Sequence, residues 1–169
     1  VTIALADTGE GDHITGFTAG ATNGDVIDFD GSTLEDGAAA AGATTNDAID
    51  DIGATEVAIN ATNAALTTAG DFVYGFSTDI GGTIDFTTAT DAAIVAAIEA
   101  ALEATTGNVL SGTATSAVTN GAIGTNLLLA LSDGTNTAIV HYAEGAAAEA
   151  DFAGELSVIG VLNGVSTAD

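Results

Sequence analysis

The chain contains no lysine, arginine, cysteine, methionine, proline or tryptophan, although it has 169 residues and 24 of them are aspartate or glutamate. Its formal net charge at pH 7 is −24. Because contacts to nucleic-acid phosphates depend on Lys and Arg, we expect no nucleic-acid partner. Attraction to anionic lipid headgroups needs the same side chains. The absence of cysteine excludes a disulfide framework and thiol chemistry.

Long apolar runs are also missing. The longest dense aliphatic run is Leu127–Leu131, whereas a membrane-spanning helix requires roughly 20 apolar residues. We therefore expect no membrane insertion. A chain of this length can bury a substantial core, and we predict a single domain over residues 1–169.

The residues that carry most enzyme chemistry are scarce. There is no Cys or Lys nucleophile, and residues 75–79 lack the second glycine of a serine nucleophile elbow. Paired carboxylates are the machinery of glycosidases, but sugar clefts usually need aromatic platforms, and this chain has only two Tyr, six Phe and no Trp. We therefore expect that the protein is not an enzyme.

Period-two alternation and turn residues predict short strands. Val1–Ala6, His13–Phe17 and Asp25–Asp30 each have strand-like patterns. Asn126–Tyr142 reads as a hairpin around the turn sequence DGTN at 133–136, and Leu156–Leu162 reads as a last strand.

One helix is predicted over Asp91–Ala104, where Thr90 or Asp91 caps the N-terminus and Ile94, Val95, Ile98 and Leu102 form an apolar stripe. The predicted fold class is mainly β: a β-sandwich or β-roll-like sheet stack with one packed α-helix. A weak similarity between residues 12–30 and 71–87 suggests an internal duplication.

The electrostatic repulsion among the acidic side chains has to be reduced by water, backbone N–H groups or bound cations. Calcium is the natural cation because it takes six to eight oxygen ligands from carboxylates and carbonyls. The alternative is that the acidic side chains only keep a polymer-forming or high-salt protein soluble. The first predicted site is the glycine-rich loop that contains Asp7, Glu10 and Asp12, with Asp25, Asp28 and Asp30 a turn later. A second and weaker site is expected at Asp133 with Asn136, with Asp151 or Glu155 as a further ligand. The candidate calcium ligands are Asp7, Glu10, Asp12, Asp25, Asp28, Asp30, Asp133 and Asn136.

Several segments of the sequence resemble segments of a known protein family. Four segments carry the resemblance, in this order: Gly11–Gly20, Gly24–Phe29, Leu128–Val140 and Glu155–Val165. They are similar to the C-terminal regions of type I secreted, repeats-in-toxin-like calcium-binding surface proteins of bacteria, including adhesins and surface-layer proteins. The family's nonapeptide calcium repeat is present here only as one incomplete copy at Thr8–Ile14.

The resemblance implies export and an extracellular or cell-surface location. Together with the acidity, it leads us to expect a structural subunit of a calcium-stabilised surface layer or biofilm-matrix filament, in which the chain pairs with itself through strand edges. The alternative is a calcium-dependent adhesion module at the end of a large secreted adhesin. The two histidines, His13 and His141, are too far apart in sequence to indicate a shared zinc site.

Overall fold

The computed structural model describes residues 11–18, 57–58, 73–76, 78–81, 83–106, 110, 117–118, 126–144 and 151–166. These ranges contain one helix and six strands. In chain order they are β1 (Asp12–Thr15), β2 (Val57–Ala58), β3 (Val73–Gly75), α1 (Asp91–Glu103), β4 (Asn126–Ser132), β5 (Thr137–Ala143) and β6 (Leu156–Asn163). The prediction of a mainly β fold with one packed helix is confirmed.

The described strands form one mixed sheet in the order β1-β6-β5-β4-β3-β2. Antiparallel pairing joins β4 to β5 and β5 to β6. Parallel pairing joins β1 to β6, β2 to β3 and β3 to β4. Parallel neighbours need a crossover connection, and α1 lies in the connection between β3 and β4. The layer packed against this sheet in the described ranges is therefore the helix and not a second sheet.

The predicted hairpin is confirmed as β4 and β5. Their register runs without a break from Asn126 opposite Ala143 to Ser132 opposite Thr137. The turn residues between the strands include Gly134 at φ 95°, a left-handed conformation that suits glycine. A side chain there would also meet Asp79, whose Oδ2 lies 3.3 Å from the position of an added Cβ.

The final strand β6, also predicted, contains a bulge. Its pairing with β5 shifts between Ile139 and Val140, so that Ile139 is opposite Gly160 and Val140 is opposite Val158. A bulge adds one residue to a strand and so resets which face later side chains occupy. As a result Val158 and Val161 both pack on the side of the sheet that faces α1, although three positions separate them.

The helix α1 forms for the reasons visible in the sequence. It is rich in alanine, and the Thr90 hydroxyl accepts the N–H of Ala93 at its start. Asp91 places a negative charge in the first turn, where the helix dipole favours it. Ile94, Ile98 and Leu102 are fully buried against the sheet. The predicted apolar stripe is therefore the packing face.

Both faces of the sheet carry buried apolar residues. The helix-side core includes Leu129, Leu131 and Tyr142 together with the α1 stripe. The cluster on the opposite face, called here the far-side cluster, consists of Ile14, Leu128, Ile139, Ile159 and Leu162. Burial on both faces explains why β4 reads as a continuous aliphatic run and not as an alternating one.

Some sequence predictions fall on other parts of the chain. The predicted strands Val1–Ala6 and Asp25–Asp30 lie outside the described residues, and the proposed duplication stays a prediction. Within the described ranges, no helix has the length and apolar character required to cross a lipid bilayer.

Candidate functional site

Three acidic turns meet at the end of the sheet where β4 leads into β5. They contain Asp79, Asp85 and Asp133, and we call this region the acidic end. The Ile80 N–H donates to the Ser132 carbonyl oxygen at 2.8 Å, and the Phe86 N–H donates to Asp133 Oδ2 at 2.8 Å. These two bonds attach the segment after β3 to the hairpin turn.

Asp133 is the centre of this arrangement. Its Oδ1 accepts the N–H groups of Thr135 at 2.8 Å and Asn136 at 2.7 Å. Its Oδ2 accepts the Phe86 N–H and the Asn136 side-chain amide at 3.0 Å. A carboxylate has about four lone-pair sites, so these four donors satisfy it.

The same bonds favour the charged form of Asp133. Burial by itself would raise the pKa of this carboxyl. The hydrogen bonds from the Asn136 side chain and from the N–H groups of Phe86, Asn136 and Thr135 act in the opposite direction and hold the pKa below its ordinary value. Asp133 is therefore an ionised acceptor at neutral pH although it has no cationic partner.

Asn136 extends the network to the end of β6. It is 5% exposed, and its Oδ1 accepts the Gly164 N–H at 2.9 Å. Next to it, the Thr137 hydroxyl donates to the Val165 carbonyl oxygen at 2.7 Å. Asp133 and Asn136 therefore connect three separate chain segments: the turn near Phe86, the hairpin, and the residues after β6.

These contacts bear on the predicted calcium ligands. Asp133 and Asn136 are adjacent, and their oxygens accept protein N–H groups. A calcium ion bound directly to this pair would have to displace at least one of these donors. Their assignment as calcium ligands stays a prediction, and the role that the contacts themselves support is to hold the acidic end together.

The other predicted ligands are placed as follows. Asp12 is exposed at the first position of β1, opposite Gly160. The remaining predicted ligands, Asp7, Glu10, Asp25, Asp28 and Asp30, lie outside the described residues. Across the part of the chain that the structure describes, no three His, Asp or Glu side chains are grouped so that they could hold a metal ion.

The suggestion that Asp151 or Glu155 joins Asp133 is wrong. Glu155 lies beside the opposite end of β5, because its carbonyl oxygen accepts the Ala143 N–H at 2.9 Å. Asp151 is nearby in sequence and accepts the Ala153 N–H at 3.3 Å. The seven residues of β5 separate this region from Asp133, and at about 3.4 Å per residue they span more than 20 Å.

This second region, around Phe152, was not identified from the sequence. The Phe152 N–H donates to Glu103 Oε1 at 2.9 Å, and the Phe152 and Tyr142 rings are 5.5 Å apart. The Tyr142 hydroxyl donates to Glu144 Oε2. Glu103 lies outside the apolar stripe of α1, where a solvated carboxylate is the usual expectation. No local pattern shows that it would reach a residue 49 positions away.

The histidines do not share a site. His13 pairs with Val161, which packs on the helix side, whereas His141 pairs with Leu128 of the far-side cluster. The two imidazoles therefore point to opposite faces of the sheet. Burial lowers the pKa of His141, so the neutral ring is favoured there.

Comparisons of the chain with protein-family models, with curated proteins and with solved structures give no match.

Proposed function

We propose that this protein is a structural subunit of a secreted, calcium-stabilised extracellular assembly, such as a surface layer or a biofilm-matrix filament. The observation that carries the proposal is the position of β1. It is the edge strand of the described sheet, and three of its four residues, Asp12, His13 and Thr15, are exposed. An exposed edge strand is a template on which a strand of a second copy can pair.

The anchoring of β1 supports this role. Ile14 is 9% exposed and belongs to the far-side cluster, and the Gly11 N–H just before the strand donates to Asp91 Oδ2 at 2.6 Å. The strand is thus fixed to both the sheet and the helix. A fixed edge loses little conformational freedom when it pairs, which favours association.

Charge makes such an assembly dependent on cations. Each copy has a formal charge of −24 and no Lys or Arg, so two copies repel each other at low ionic strength. Calcium bound by carboxylates would reduce this repulsion and link neighbouring copies. The extracellular location rests on the family resemblance described above. The proposal that the protein is not an enzyme rests on its lack of Cys and Lys and its few aromatic residues.

A second candidate is a calcium-dependent adhesion module. The observation that favours it is the acidic end, where exposed residues of three turns, including Asp79, Thr87 and Thr135, lie next to one another on a fixed hydrogen-bond network. Loops held on a rigid scaffold are a common form of binding surface.

Light scattering after size exclusion tests the first proposal. We expect the mass to grow far beyond 16.3 kDa in millimolar calcium and to stay monomeric in chelator. Sodium chloride at matched ionic strength is the control for simple screening. A monomer in every buffer would contradict the proposal and favour the adhesion module.

A matched pair of variants tests the edge itself. Thr15→Lys puts a charge on β1, a device by which natural edge strands avoid pairing. Thr18→Lys makes the same charge change at an exposed position beyond the strand. We expect calcium-dependent growth to be lost in the first variant and kept in the second. Equal growth in both variants would show that β1 is not the contact.

A further inference from the structure

The two outer strands of the described sheet run in the same direction. The strand β5 is antiparallel to both β4 and β6, so β4 and β6 share one direction. Parallel pairing extends this direction from β6 to β1 on one side and from β4 through β3 to β2 on the other. The strands β1 and β2, which lie at opposite edges, are therefore parallel to each other.

The two faces of the sheet are covered in the described ranges. The helix α1 packs on one face through Ile94, Ile98 and Leu102, which are fully buried. On the other face, each member of the far-side cluster is at most 9% exposed. A surface that binds further copies has to be accessible. Among the described elements, the edges of the sheet are therefore better suited to this contact than its faces.

The symmetry of a contact decides whether an assembly can grow. If β1 of one copy pairs with β1 of another about a two-fold axis, the contact is isologous and closes after two copies. If β1 pairs with a different surface of the next copy, the contact is heterologous, and each added copy presents the same edge again. Growth through one kind of contact therefore needs a surface that is complementary to β1 and distinct from it.

The strand β2 meets this requirement. A copy moved along the sheet brings its β1 beside β2 of the preceding copy, with both strands in the same direction. Parallel pairing of this type already joins three pairs of strands within the sheet. The residues of β2, Val57 and Ala58, are uncharged, whereas β1 carries Asp12. Pairing with these residues therefore avoids placing like charges directly opposite each other, which is destabilising.

We propose that β1 of one copy pairs in parallel with β2 of the next, so that the protein assembles head to tail into an open filament with a continuous sheet. The inference rests on the proposed function and names the surface that β1 binds. Six strands per copy, at a spacing of about 4.8 Å, give a rise of about 29 Å per copy along the filament. The twist between neighbouring strands makes the filament helical.

Single cysteines test the pairing, because the chain has none of its own. His13→Cys labels β1 at an exposed position, and Ala58→Cys labels β2. Each variant is treated with a short bis-maleimide under the conditions in which the mass grows. A filament of one variant holds only one thiol at each contact. We therefore expect covalent dimers when the two variants are mixed and almost none from either variant alone.

Thr135→Cys is the matched control. Thr135 is exposed in the hairpin turn between β4 and β5, which are interior strands of the sheet. Mixed with Ala58→Cys, this variant should give almost no dimers. Dimers from His13→Cys alone would show that β1 pairs with β1. Growth of the His13→Cys and Ala58→Cys mixture without dimers would show that β2 is not the contact. Either result would overturn the inference.

A measurement on the unmodified protein does not depend on how the variants fold. Filaments imaged by electron microscopy should have a repeat of about 29 Å, whereas alternating β1–β1 and β2–β2 contacts would double it to about 58 Å. The outcome is separable from that of the proposed function. Growth with the doubled repeat would contradict this inference and leave the assembly standing, whereas a monomer in every buffer would contradict both.

Discussion

The carboxylate of Asp133 accepts the backbone N–H of Phe86 at 2.8 Å, across 47 positions of sequence. Phe86 is fully buried in the helix-side core. This contact therefore links the segment before α1 to the hairpin turn at the point where the segment enters the core. Since Asp133 also binds the turn that carries it, the hairpin and the segment before the helix are stabilised by the same side chain.

Asp133→Asn should destabilise the protein by about 2 kcal/mol. The replacement is nearly isosteric, but an amide has a single acceptor oxygen, so at least one of the four N–H donors loses its acceptor. Urea unfolding followed by circular dichroism measures the change. Asp151→Asn at an exposed position is the control and should change stability by less than about 0.5 kcal/mol. Equal stability of the two variants would show that the network contributes little.

The contribution of Asp133 should disappear in acid. Its pKa is lowered in the folded state, so its stabilising effect is fully present above the unfolded value of about 3.9 and is lost as the pH falls through the lower folded-state pKa. The difference in unfolding free energy between the unmodified protein and Asp133→Asn should therefore be constant near neutral pH and shrink below about pH 4. Dilute samples are needed because the net charge approaches zero near pH 4.1. A difference that persists unchanged in acid would contradict the assigned cause.

The burial of His141 leads us to expect that stability also depends on pH in a second, higher range. Burial lowers its pKa in the folded state, so the folded protein disfavours the proton that the unfolded chain accepts below about pH 6.5. Stability from this group is full above that value and is lost as the pH falls towards the folded-state pKa. Between about pH 7.5 and 5.5 we expect the Tm of the unmodified protein to fall relative to that of His141→Gln.

His13→Gln is the matched control for this measurement, because it removes an exposed histidine from the other face of the sheet. Because His13→Gln keeps His141, the fall in Tm between about pH 7.5 and 5.5 that is assigned to His141 should remain. If His141→Gln and His13→Gln have the same pH profile, then the burial of His141 does not shift the stability of the fold in this range.

Local patterns predicted the elements whose signals are contained in a few residues. The hairpin follows from the DGTN turn between apolar runs, and α1 follows from Thr90 and a stripe at helical spacing. The parallel pairing of β1 with β6 joins residues almost 150 positions apart, and no local pattern encodes it. For this reason the single mixed sheet could not be derived from strand periodicity, which is compatible with a sandwich, a roll or an open sheet.

The candidate sites, like the strands and the helix, could be predicted only where the signal lies within a few neighbouring residues. Asp133 and Asn136 stand out because acidic and amide residues beside a glycine mark a turn. Glu144 does not stand out, since its burial depends on Tyr142 and on packing around Phe152. A chain with 24 acidic residues offers many apparent sites, and only the fold shows that the carboxylate of Glu144 is buried.

Gly11 gives the last prediction, because it lies where β1 approaches the bulge of β6. A Cβ at this position would lie 2.9 Å from Val158 Cγ1 and 3.3 Å from the Gly160 nitrogen and the Ile159 carbonyl carbon. Gly11→Ala should therefore displace the start of β1 and destabilise the protein by about 1–3 kcal/mol. Gly75→Ala is the control: a Cβ there has no neighbour within 4 Å, so its effect should stay within about 0.5 kcal/mol.

The destabilisation caused by Gly11→Ala should become smaller when Val158→Ala removes the nearest atom, and a double-mutant cycle in urea measures this coupling. If Gly11→Ala is as stable as Gly75→Ala, the close approach of β1 to the bulge does not hold in solution.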